Sequence, residues 1–132
     1  MIYLAFRLKP GELLKEELER RAAHIKAGVL LSIVGSLDKA VLRMAGASAL
    51  GDNAVKNFTG PFEIVSGTGT FSSNDGCHIH ISIADNDGKV IGGHLKDGCI
   101  VRSTAEIVIG VFEADWKRIP DKDTGYNEIA FE

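Results

Sequence analysis

The stretch CHIHISIADNDGKVIGGHLKDGCIVRSTAEIVI, from Cys77 to Ile109, constrains the fold more than any other part of the chain. Its opening segment alternates strictly. A period of two puts Cys77, Ile79, Ile81 and Ile83 on one face of a strand, with His78, His80, Ser82 and Ala84 on the other. The isoleucine face is core, so the histidine face looks at solvent, a partner subunit or a bound ion. Asn86-Asp87-Gly88 suits a three-residue hairpin loop, a type I turn followed by Gly88 in the left-handed region. That loop length sets Asp85 opposite Lys89, Ile83 opposite Ile91 and His80 opposite His94. A two-residue Asp87-Gly88 turn would shift the register by one and send His94 to the other face. Keeping Ile91 on the core side favours the longer loop, and the expectation is that His78, His80 and His94 converge from two antiparallel strands.

Two imidazoles on one strand face and a third from its neighbour can hold one ion. Three histidines leave a position open on a tetrahedral metal such as zinc, as in a catalytic site rather than a closed structural one. The alternative is a polar strand face whose histidines bond to backbone or water. Glu106 is the second candidate, because an ionised carboxylate inside an apolar β-branched run needs a partner or a role. It either pairs with an arginine such as Arg7, Arg43 or Arg102, or serves beside the metal as a supporting carboxylate or general acid/base. Glu63, between Phe62 and Ile64, poses the same question. There is no phosphate-binding Gly-x-x-x-x-Gly-Lys segment and no Gly-x-Ser-x-Gly elbow.

The remainder reads as one helix and many strands. Ile2 to Leu8 is a first strand, and Pro10 is placed to open a long helix from Glu12 to Lys26. Leu14, Leu18, Ala22 and Ile25 form its apolar stripe, Glu16 with Arg20 and Glu17 with Arg21 are spaced to pair, and Gly28 caps its end. Val29 to Val34 reads as a buried strand, turned at Gly35-Ser36 into a second from Leu37 to Met44. Gly46 to Asn53 is a loop, Val55 to Phe58 a short strand, and Gly60-Pro61 resets the chain before Phe62 to Phe71. Thr104 to Glu113 is the last strong strand, and Tyr126 to Phe131 adds an edge strand or docks the C-terminus. The fold class is α+β: a mostly antiparallel, strongly curled sheet, a partial barrel, with one long N-terminal helix packed on it, all in a single domain over 1–132.

Charge and cysteine usage narrow the setting. The net charge is -3, whereas a surface that grips duplex nucleic acid normally carries a basic balance or stripe. No apolar run reaches membrane-spanning length, the start lacks the build of a secretory signal, and the two cysteines point to a reducing cytoplasm. Cys77, on the isoleucine face, reads as a small buried hydrophobe.

Taken in order, Gly60-Pro61-Phe62-Glu63-Ile64-Val65-Ser66, His78-Ile79-His80, Asp87-Gly88, Gly92-Gly93-His94-Leu95 and Thr104-Ala105-Glu106-Ile107-Val108 resemble the plants-and-prokaryotes-conserved domain. The resemblance covers nearly the whole chain. It implies a compact α+β domain that assembles as a homotrimer. It also implies a distant similarity to acetolactate decarboxylase, whose three-histidine zinc site makes zinc the first expectation at His78, His80 and His94. In plants the domain is joined to AT-hook segments of DNA-binding proteins, so stand-alone relatives are called DNA-binding by association. No Arg-Gly-Arg-Pro hook occurs in these 132 residues, and Pro61 and Val65 depart from the plant partner-contact motif Gly-Arg-Phe-Glu-Ile-Leu. The expected function is therefore an oligomeric binding module that reaches DNA indirectly or through a protein partner. The alternative is a zinc enzyme acting on a small carbonyl substrate, with Glu106 moving protons.

Overall fold

The computed structural model describes residues 1–47 and 54–131. The elements run β1 (Ile2–Leu8), α1 (Leu14–Arg21), β2 (Ala27–Arg43), β3 (Val55–Ser72), β4 (Gly76–Ala84), β5 (Val90–Leu95), β6 (Ile100–Val111), β7 (Lys117–Pro120) and β8 (Asn127–Ala130). Six strands form a sheet ordered β1-β6-β2-β3-β4-β5, with every pairing antiparallel. The end strand β5 also returns to pair with β2, Leu42 opposite Leu95 and Arg43 opposite His94. Strands β2, β3, β4 and β5 thus close a ring, and β6 and β1 extend it on the other side of β2. Closure follows from the length of β2, whose 17 residues are enough to pair with β6 and β3 and still reach β5.

The curled antiparallel sheet is as expected, but the long helix is not. α1 spans 8 residues, Leu14–Arg21, so the fold is largely β. The apolar stripe survives the correction, since Leu14, Leu18, Ala22 and Ile25 are all buried. After Ala22 the chain turns, and Ala27 and Gly28 already belong to β2, paired to Ser72 and Phe71 on one side. Gly28 is no helix cap. A Cβ there would lie 3.0 Å from both the Gly110 carbonyl oxygen and Ile25 Cγ2, so glycine serves close packing against β6. Sheet pairing on both edges outweighs the helical propensity of the preceding residues. Of the expected helix pairs, Glu17 with Arg21 forms at 3.7 Å, and Glu17 also bonds Arg20 at 2.9 Å. Glu16 instead accepts from the Gly98 backbone N–H at 3.0 Å.

Two expected breaks are likewise absent. Gly35-Ser36 does not turn the chain; β2 runs through it with shifts of register. A Cβ at Gly35 would stand 2.0 Å from the Thr104 carbonyl oxygen, so the glycine marks where β6 crosses β2 most closely. Gly60-Pro61 also lies inside a continuous strand, β3, and the peptide between them is cis. The loop expected at Gly46–Asn53 falls largely outside the described residues. The C-terminal strand β8 pairs only with β7, as a separate hairpin. No helix among the described residues is long and apolar enough to cross a membrane.

Candidate metal centre

The hairpin takes the three-residue loop. Asp85 N–H donates to the Lys89 carbonyl at 3.0 Å, Gly88 has φ of 79°, Ile83 faces Ile91 and His80 faces His94. Cys77, Ile79, Ile81 and Ile83 are buried, which turns the other face of β4 outward. There the ligand nitrogens of His78, His80 and His94 all lie within 4.8 Å of one another. The Nε2 atoms of His78 and His80 are 3.3 Å apart, and the His78 and His94 rings stack with centroids 4.9 Å apart.

Two arginines stand behind these rings. Arg43, at the end of β2, donates to His94 Nδ1 at 3.1 Å because ring closure sets the two residues opposite each other. Arg118, from β7, donates to His78 Nδ1 at 3.2 Å and to Thr70 Oγ1 at 3.1 Å. The β7–β8 hairpin is held there by Asn74, whose side chain both donates to the Arg118 carbonyl and accepts from its N–H at 2.8 Å. Ser73 N–H and Trp116 O, and Trp116 N–H and Lys26 O, add bonds of 2.9 and 3.0 Å. Trp116 also packs between Phe112 and Phe131. Tyr126 offers its ring to Arg43 at 5.3 Å. Arg43, Arg118 and Tyr126, with Asp75, Lys96 and Glu128, line an open cavity of about 690 Å³ with the histidines at its floor.

The electrostatics favour neutral imidazoles at His78 and His94. Burial, then the charge of Arg43, then the neighbouring imidazoles and Lys96 push His94 down to about 3. His78 is lowered by burial and by Arg118, with His80 and Arg43 contributing. A neutral imidazole has one lone pair to give, which is the form a metal requires. The donor set, three histidine nitrogens with no fourth protein ligand beside them among the described residues, fits a borderline-soft divalent cation such as zinc.

Glu106 is not brought to this centre. It lies exposed on the outer face of β6, opposite Arg7 of β1 and Val34 of β2, and is not among the residues lining the cavity. Arg7 bonds Thr104 Oγ1 and the Ser103 carbonyl, and Arg102 pairs with Asp38 at 2.9 Å. Glu63 is also exposed. Both thiols are buried, which pushes Cys77 up to about 12 and Cys99 to about 11 and leaves them inert. Arg118 and Tyr126 carry no sequence signal for a site, since nothing local ties a polar C-terminal turn to β4.

A curled antiparallel sheet carrying a tris-histidine centre in an arginine-flanked cavity defines the class. Residues 2–113 match the Plants and Prokaryotes Conserved (PCC) domain, and the chain belongs to that family. Among similar proteins are the bifunctional protein GlmU of Synechococcus sp. strain JA-3-3Ab, 42% identical over 96% of this chain, and AT-hook motif nuclear-localized protein 10 of Arabidopsis thaliana, 29% identical over 76%. The chain spans only 20% of that GlmU and 29% of the plant protein. Among solved structures, a hypothetical protein from Salmonella cholerae-suis superposes with a TM-score of 0.90 at 34% identity, covering 99% of this chain and 93% of that one. A metal-containing protein from Archaeoglobus fulgidus superposes with a TM-score of 0.83 at 27% identity, covering 98% and 94%.

Proposed function

We propose that this chain is a homotrimeric PCC-domain binding module, acting as one unit over 1–132, whose His78, His80 and His94 hold a divalent metal, zinc first. The observation that carries the metal is the convergence of three histidine nitrogens within 4.8 Å, at the floor of a cavity and with depressed basicity at two of them. The metal-containing relative from Archaeoglobus fulgidus supports the same reading. Assembly is supported by an apolar patch on the outer face of the sheet. Met1, Tyr3 and Leu31 are 78%, 72% and 50% exposed, and Tyr3 pairs with Gly110 across β1 and β6. The side chains of Met1 and Leu31 lie over Gly110, where a Cβ would meet them at 2.9 and 3.2 Å. The two unpaired thiols suit a reducing, cytoplasmic setting.

The plant relative, an AT-hook motif protein, supports an association with DNA. At a net charge of -3 the contact is indirect or made by a protein partner. A second reading, a metal-dependent reaction on a small carbonyl compound, is favoured by the open cavity above the histidines. A bound zinc would polarise a carbonyl oxygen there. Glu106, on the other face of the sheet, is not placed to move a proton in it.

Native mass spectrometry of untagged protein, repeated on His80→Ala, tests assembly and metal together. A trimer with one zinc per chain that disappears in the variant is the expected result. A trimer that stays metal-free after zinc is added sinks the metal reading, and a monomer sinks the assembly.

A further inference from the structure

The two arginines raise a question that metal binding alone does not answer. Arg118 is a nearly buried cation, its side chain 9% exposed, and its nearest carboxylate, Glu128, stands at 4.0 Å, the outer limit of an ion pair. Arg43 makes no ion pair among the described residues; its polar contacts are His94 Nδ1 and the Tyr126 ring. A further cation at depth, Lys15, is already matched by Glu19 at 2.9 Å and Asp97 at 3.2 Å. Lys96 also borders the cavity. Asp75 and Glu128 also line the cavity, but Arg43 has no ion pair among the described residues and Arg118 only the 4.0 Å contact with Glu128. The positive charge at the floor is thus incompletely matched, and a divalent cation there would add two more units. Uncompensated charge in a partly desolvated site is costly, so the cavity is built for a negative ligand.

The hydrogen bonds sharpen this. A guanidinium can only donate, so Nδ1 of His78 and of His94 each accept from an arginine. A neutral imidazole has a single lone pair, and a metal must take it. If the metal binds Nδ1 it displaces the arginine directly. If it binds Nε2, that nitrogen's proton moves to Nδ1, and two N–H donors then face each other. Either way, filling the centre releases the arginine donor that each Nδ1 accepts, while Arg118 keeps its bond to Thr70 Oγ1 and Arg43 its place over the Tyr126 ring.

We propose that Arg43 and Arg118 form a clamp for a small oxyanion ligand, a carboxylate or phosphate group, which the two guanidiniums hold over the tris-histidine centre. The inference deepens the metal reading and rests on it for the release step, while the charge imbalance exists without metal. Planar guanidiniums suit both oxyanions because each offers paired N–H donors at carboxylate or phosphate spacing. Arg43 is fixed by the ring and Arg118 by the β7–β8 hairpin, so the ligand would bridge the two.

The test is titration of the full chain with malonate and with inorganic phosphate, as metal-free protein and loaded with cobalt(II). Calorimetry gives the affinities in both states, and the arginine side-chain N–H signals of the metal-free protein report contact by NMR. Arg43→Met and Arg118→Met remove each charge while keeping similar bulk, and Arg43→Lys restores charge without the fork. We expect binding that each Met substitution weakens by about tenfold or more, equivalent to about 1.4 kcal/mol, with partial recovery in Arg43→Lys. The preferred probe tells carboxylate from phosphate. Cobalt bound with neither anion bound overturns the clamp and leaves the metal centre standing. Arginine-dependent anion binding without any cobalt uptake keeps the clamp and removes the metal. Unchanged affinity in both folded Met variants overturns the clamp. If a variant fails to fold, unmoved Arg43 and Arg118 N–H signals on anion addition to wild type do so instead.

Discussion

His94 shows how a residue's surroundings set its chemistry. Its depressed basicity, to about 3 against an ordinary value of 6.5, means that the unfolded chain binds a proton more readily than the folded one between those limits. The neutral form's advantage is present above the unfolded value and is lost as pH falls from there toward the folded value. His78 acts in the same direction. Metal-free protein should therefore lose about 1 kcal/mol between about pH 7 and about pH 5, roughly half the unscreened figure because the ring is partly solvated. Urea midpoints across that range measure it. His94→Asn should flatten the slope, and a midpoint that does not move in wild type would refute the account. The convergence of the histidines was legible from alternation and one loop length, because both are local and fix a register. Arg43 could be read only as a candidate partner for Glu106, since its place beside His94 depends on β5 returning to β2. Arg118 reaches His78 across 40 positions of sequence through a hairpin docking that no periodicity encodes.

At the scale of elements, the misread boundaries share one cause. Glycine in the sequence is ambiguous between a turn that needs its freedom and a crossing that needs its lack of a side chain. Gly88 is the first kind, with φ of 79° and nothing within 4 Å of an added Cβ. Gly35 is the second, pressed on the Thr104 carbonyl. The two should respond differently to alanine. Gly88→Ala should cost about 1 kcal/mol, the left-handed penalty alone. Gly35→Ala should cost about 3 kcal/mol or more, because backbone must move. Equilibrium unfolding of both variants checks this, and equal costs would contradict it. The helix was overextended for a related reason. Its apolar stripe continues through Ala22 and Ile25, yet Ile25 is buried from a turn, with its N–H on the Ala22 carbonyl at 2.9 Å.

For the whole molecule, the outer patch around Gly110 and the cavity lie on different parts of the sheet, so assembly and ligand binding should separate. Leu31→Lys puts a charge beside Met1 over Gly110 and should drive the proposed trimer to monomer at micromolar concentrations without lowering zinc uptake. Sedimentation velocity with metal analysis checks both halves, and a trimer indifferent to the lysine would move the interface elsewhere. The cavity itself has two origins. Its floor is woven into the sheet by β2, β4 and β5 and lies within the 2–113 family match. Its wall, with Arg118, Tyr126 and Glu128, is a clip beyond that match, fastened chiefly by Asn74, Ser73 and Trp116. A socket made this way resembles a vice with one jaw cast into the bench and the other bolted on: the bolted jaw can be exchanged for another grip while the bench is left untouched.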